Sequence, residues 1–197
     1  LRYYLTQIAP ETKDSEFTWK GFQDAVNSEL VSIFGNYVNR TWVLMHKLCG
    51  GKVPRLHEDI LDDTDRQLIQ EIADAKIRIE NLLEGYKFRD ALFEVIDLSR
   101  KGNKYMQEKE PWILAKDDAN RAKLMEVLYN TADGIRALAV LLHPVMPETC
   151  EKLWESLGAT TLGPIANQKI ADTAKWGVLP AGSKVSKSAP LFPRLEE

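Results

Sequence analysis

The sequence predicts an all-α protein, an antiparallel helix bundle followed by an irregular C-terminal tail. Three observations point there. Apolar residues recur at helical spacing through almost all of 18–157. Capping residues and glycine or proline stops bound each periodic stretch. No stretch shows the sustained polar–apolar alternation of a half-buried strand. With 197 residues and 44% hydrophobic content, the chain can fill one well-buried core. No apolar run approaches the ~20 residues of a membrane span.

The N-terminal "LRYYLTQIAPETK" has neither the apolar centre nor the small-residue cleavage site of a signal peptide. It reads as the end of a helix whose start lies upstream, so the chain is expected to be a piece of a longer protein. The first long helix is expected over "TWKGFQDAVNSELVSIFGNYVNRTWVLMHKLCGG", with Thr18 as N-cap and Gly50-Gly51 as the stop. Phe22, Val26, Leu30, Ile33, Tyr37, Leu44 and Leu48 form its apolar stripe, broadened by Phe34, Val38, Trp42 and Met45. At ~1.5 Å per residue it would be roughly 45 Å long. The next helix opens on Thr64-Asp65-Arg66-Gln67, read as a capping box. It runs through Leu68, Ile72, Ala75, Ile79, Leu82 and Leu83 to Gly85. A third begins near Lys87, with Phe88, Leu92, Val95, Ile96 and Ser99 inward, and is expected to fade through "RKGNKYMQEKE" before Pro111 forces a break. A fourth starts at Asp117 or Asp118 and carries Leu124, Val127, Leu128, Ile135, Leu138, Leu141 and Leu142. A fifth, "PETCEKLWESLG", has Pro147 in its first turn and Gly158 at its end. The loops are short to moderate, so neighbouring helices should be antiparallel. Trp42 and Trp154 sit on apolar faces and read as core.

Beyond 158 the chain turns rich in Gly, Pro, Ser and Ala and loses periodicity, as expected of a peptide that wraps over something. The division is therefore 1–17, a bundle over 18–157, and a tail over 158–197.

Several chemistries find no support. His46, His57 and His143 have no partner spacing, and no Glu-x-x-His pair of a helix-bundle di-iron site is present. There is no glycine-rich phosphate loop and no GxSxG. The carboxylates are scattered and read as lying on polar helix faces. Cys49 and Cys150 form no CxxC pair and imply no disulfide framework, which suits a reducing cytoplasm. The net charge of −3 is not that of a protein relying on broad phosphate neutralisation, so any nucleic-acid contact has to be local.

Three residues stand out for recognition. Asn36 and Arg40, four apart, share one helix face offset from the apolar stripe. They place an amide beside a guanidinium, groups much used on base edges and phosphates. Trp112 follows Pro111, and an aromatic ring on a stiffened turn is a platform for an unstacked base. Each has a plainer reading. An Asn…Arg pair is commonly a solvated face, and a tryptophan at a helix junction, with Ile113 and Leu114 behind it, is commonly core. A structural or protein-interaction bundle without an RNA role stays open on these residues alone.

The motifs together resemble the methionyl-tRNA synthetase family, in the C-terminal part of its bacterial forms. The likeness lies in "LRYYL", "EFTWKGFQDAVNSELV", the Asn-x-x-x-Arg of "GNYVNRT", the Pro-Trp of "PWILAK" and the closing "LFPRLEE", and it covers essentially the whole chain. The resemblance implies a class I synthetase anticodon-binding domain. Residues 1–17 would end the connector from a catalytic domain, and 158–197 would turn back to link the two. It further implies that Asn36, Arg40 and Trp112, with Pro111 supporting the turn, contact the anticodon loop of tRNA(Met), anticodon CAU; Ile113 and Leu114 would then root the turn in the core. ATP, and zinc where present, would belong to the upstream catalytic domain, leaving this chain without a cofactor and catalytically inactive alone. "SKVSKS" at 183–188 looks like the family's KMSKS loop but has Val185 in place of Met and stands in the tail, so Lys184 and Lys187 read as tail residues.

Overall fold

The computed structural model describes residues 1–12, 14–173, 175–186 and 189–196. Among them are helices and short 3-10 turns but no β-strand. Helix α1 is Arg2–Gln7. Helix α2 covers 19–49 in three consecutive pieces: α-helical Trp19–Ala25, π-helical Val26–Gly35 and α-helical Asn36–Cys49. Then follow α3 (Asp63–Glu84), α4 (Phe88–Lys109), α5 (Pro111–Leu114), α6 (Arg121–Leu142), α7 (Pro147–Ser156) and α8 (Ile170–Thr173). The bundle is the one the periodicity predicts. Helices α3 and α4, joined by a three-residue turn, pack antiparallel along their length.

The ends of α2 are those expected. The Thr18 hydroxyl accepts from the Gly21 amide at 3.0 Å, and Gly50 closes the helix in the left-handed region. Its middle is not. The π segment widens the turn, so the buried line runs through Val26, Leu30, Phe34, Tyr37, Val38, Trp42 and Met45, while Phe22, Ile33, Leu44 and Leu48 are half-buried at its flanks. Gly35, the last residue of this segment, has to be bare. A Cβ there would lie 2.8 Å from the Leu30 carbonyl oxygen.

Three further expectations are corrected. The capping box of α3 belongs to Asp62 and Asp65, not to Thr64: Asp62 accepts from the Thr64 and Asp65 amides, and Asp65 accepts from the Asp62 amide. Helix α4 does not fade but continues to Lys109, because Gly102, Tyr105 and Met106 are buried against neighbouring helices. Phe88, at its first position, is exposed rather than inward.

Helix α6 is the axis of the fold. Every residue in 126–142 is buried, as in a helix covered all round. Its carboxylates Glu126 and Asp133, expected on a polar helix face, are instead buried, Asp133 beneath the tail. Asp133 accepts from the Gly177 and Leu179 amides and from Arg136, whose guanidinium also donates to the Lys175 carbonyl. The Tyr129 hydroxyl donates to the Leu179 carbonyl. The tail thus wraps over the bundle itself, with Leu179 and Val185 buried. An antiparallel bridge pairs Lys52 with Lys184, flanked by amide bonds from Val53 to Ser183 and from Val185 to Gly51.

Candidate nucleic-acid interface

The candidate recognition residues converge near the C-terminal part of α4. Pro111 lacks an amide hydrogen and disfavours helical geometry in the residue before it. Glu110 resolves this by adopting the left-handed region (φ 44°, ψ 57°), and Pro111 becomes the first residue of α5. Pro111 is buried, so it roots the turn. Ile113 is 44% exposed and does not share that task, contrary to expectation; Leu114 is half-buried. The end of α4 is pinned from inside by Lys109, whose ammonium lies 2.6 Å from Asp62 and 2.8 Å from Asp65.

Trp112, one residue past the root, is half-buried against the core. The Arg40 guanidinium carbon stands 5.4 Å from its ring centroid, a cation–π pairing that joins α2 to α5. This contact connects two of the residues singled out in the sequence. Asn36, one helical turn before Arg40, is exposed, and its amide nitrogen donates to the Asn103 side-chain oxygen at 3.0 Å.

Asn103 is the residue that sequence reasoning missed. Its position follows from its neighbour. A Cβ on Gly102 would lie 2.5 Å from the Tyr37 ring, and one on Gly134 would lie 2.9 Å from the Tyr37 hydroxyl. Tyr37 therefore wedges between α4 and α6 only because both positions are bare, and its hydroxyl donates to the Thr131 carbonyl. That close approach brings Asn36, just before Tyr37, to Asn103, just after Gly102. A glycine inside a helical pattern was the available signal, since such glycines often mark close packing.

The arrangement can stack and hydrogen-bond. Burial pushes the Cys49 thiol up to about 11 and the Cys150 thiol up to about 12, away from a reactive thiolate. No group of three or more His, Cys, Asp or Glu among the described residues could hold a metal ion. In "SKVSKS", Val185 is buried and Lys184 lies in the bridge to Lys52, so the described part is a structural edge; Lys187 lies outside the described residues. Among the described residues no helix is long and apolar enough to cross a membrane.

The fold is an all-α bundle that gathers an amide, a guanidinium and a turn-mounted indole at one junction. The anticodon binding domain of methionyl tRNA ligase matches residues 57–197, and the class I tRNA synthetase (M) family matches 1–42. The methionine–tRNA ligase of Streptomyces coelicolor is 39% identical over all of this chain and 37% of its own length. That of Phocaeicola vulgatus is 41% identical over all of this chain and 28% of its own. The crystal structure of free-state Mycobacterium tuberculosis methionyl-tRNA synthetase superposes with a TM-score of 0.86 at 27% identity, covering all of this chain and 38% of that one. The chain belongs to the methionyl-tRNA ligase family and contains its anticodon-binding domain. It spans roughly a quarter to two fifths of the length of these relatives.

Proposed function

We propose that this domain binds the anticodon loop of tRNA(Met) and reads the CAU anticodon through Asn36, Arg40 and Trp112. The observation that carries the reading is the Arg40 guanidinium over the Trp112 ring, on a turn rooted by Pro111, with the Asn36 amide one helical turn away. The ring offers a stacking surface worth ~1–3 kcal/mol per base. Asn36 offers an edge for hydrogen bonding, and Arg40 a planar cation that suits both the ring and a phosphate or base. Only the junction has to be basic, which reconciles RNA binding with a net charge of −3.

In the longer protein of which this would be one part, anticodon binding would select the tRNA that the upstream catalytic domain charges with methionine using ATP, in the cytoplasm. ATP, and zinc where present, would be bound there, and this domain would supply specificity rather than chemistry.

The test is a titration of the chain with an anticodon stem-loop, followed by tryptophan fluorescence. Changing the first anticodon base from C to U should weaken binding by ~1–3 kcal/mol. Trp112→Ala should abolish most of the binding and leave the helical signal and melting cooperative. Equal affinity for the two loops overturns the reading. Collapse of the fold on Trp112→Ala would instead assign the indole to the core.

A further inference from the structure

Asn103 contributes no face to a stacking base, yet its hydrogen bonds decide what Asn36 can present. The Asn103 Nδ2 donates to two backbone carbonyls, Ile33 at 3.0 Å and Ser99 at 3.2 Å. A carbonyl only accepts, so the Asn103 amide cannot be turned round without facing oxygen to oxygen twice. Its Oδ1 is thereby left to face Asn36. Asn36 meets an acceptor and must donate, through Nδ2 at 3.0 Å. Its own carbonyl oxygen is therefore the free acceptor, and no protein donor reaches it among the described residues. The chain of constraint starts at the π-helical segment of α2, which supplies the Ile33 carbonyl, and at the interior of α4, which supplies that of Ser99.

We infer that Asn103 is a positioning residue that fixes the direction of the Asn36 amide, so that the site accepts a hydrogen bond and selects a base carrying an exocyclic amine. This inference rests on the anticodon reading above and deepens it. Cytosine and uracil have the same shape, but cytosine presents an amino donor where uracil presents a carbonyl acceptor. A freely rotating Asn36 would satisfy either by turning its amide. One held by Asn103 would satisfy cytosine and oppose its oxygen to that of uracil. Discrimination would then reside in a residue that never touches the RNA.

The experiment measures the ratio of dissociation constants for UAU and CAU stem-loops in the 197-residue chain and three variants. Asn103→Ala should lower that ratio about tenfold, in the range of one base-edge contact, with a smaller change in affinity for the CAU loop. Asn36→Ala should lower the ratio to the same level, and the double variant should lower it no further, because Asn103 acts only through Asn36. Asn103→Leu, which keeps the branched shape but neither donates nor accepts, should repeat the result should the alanine variant melt. A ratio unchanged in both Asn103 variants, or both loops weakened equally, overturns the inference and leaves the anticodon reading standing. A further fall in the double variant does the same, because Asn103 would then act independently. Absence of any C-over-U preference in the unsubstituted chain overturns the anticodon reading, and this inference with it.

Discussion

Asn130 and Asn36 carry the same side chain and end in opposite situations. Asn130, in the middle of α6, donates to the Tyr105 hydroxyl at 3.0 Å and accepts from the Trp176 indole at 3.0 Å. Around it, Asp65 accepts from Tyr105 at 2.6 Å, from Lys109 at 2.8 Å and from the Asp62 amide at 2.9 Å. This cluster ties α3, α4, α6 and the tail together and spends its hydrogen-bonding capacity within the protein. Asn36 sits in a cluster made from similar groups, an amide pair, a cation and an indole, yet its carbonyl oxygen and the Arg40 guanidinium are left to the surface. The difference teaches that residue type does not distinguish a closed cluster from one open to the surface. What distinguishes them is how many donors and acceptors the fold leaves unspent. The two are also linked, since Lys109 closes the first cluster and ends the helix whose turn carries Trp112.

Breaking the closed cluster should have the largest effect. Asp65→Ala removes the buried partner of Lys109 and Tyr105, and a cation left without its buried partner costs about 3–5 kcal/mol. Urea unfolding should show the midpoint fall with little change in slope. A loss within about 1 kcal/mol would mean that Asp62 alone satisfies Lys109.

One atom of the closed region resists closure. Glu126 accepts from the His57 amide at 2.6 Å, but its other oxygen has no partner. Burial pushes its carboxyl up to about 7, against the pull of that amide, and the charge of Asp65 adds to the rise. The folded state then holds a proton that the unfolded chain releases near its ordinary 4.5. Glu126 should therefore lower stability as pH rises from about 4.5 to about 7, by on the order of 3 kcal/mol, and no further above that. Glu126→Gln should flatten this part of the stability–pH curve measured by urea midpoints. An identical slope in the variant would show that the group ionises freely.

Gly102→Ala should act on the open cluster with a smaller cost in stability. The added methyl meets the Tyr37 ring, and overpacking of this kind costs about 1–3 kcal/mol, partly offset by the better helix propensity of alanine. Parting α2 from α4 should also pull Asn36 from Asn103, so discrimination between CAU and UAU loops should fall with the melting temperature. A variant that melts earlier yet discriminates as before would uncouple the two.

The legible part of the candidate site was its outward chemistry. Asn36 and Arg40 share a face by spacing alone, and Pro111 before Trp112 announces a turn. Asn103 was illegible because its partner lies 67 positions away in sequence and meets it only across a glycine contact between two helices. The "RKGNKYMQEKE" stretch read as a fading helix for the same cause: Gly102 and Asn103 are poor helix formers whose use is tertiary. Asp133 and Glu126 read as solvent-facing because the segments that cover them, the tail over Asp133 and the loop at His57 over Glu126, have no periodicity to reveal where they lie.

By itself the sequence determined the long helices, most of their ends and the all-α class, because caps, stops and apolar spacing act within one or two turns of chain; the short helices at Pro111–Leu114 and Ile170–Thr173 escaped it. It also determined the family, through motifs at both ends of its length. The tertiary structure decided the π-helical middle of α2, the enclosure of α6 by the tail and the pairing of Arg40 with Trp112. It decided as well that Asn36 faces its neighbours as a donor. Each depends on groups that folding alone brings within a few ångströms, where hydrogen-bond and steric forces act.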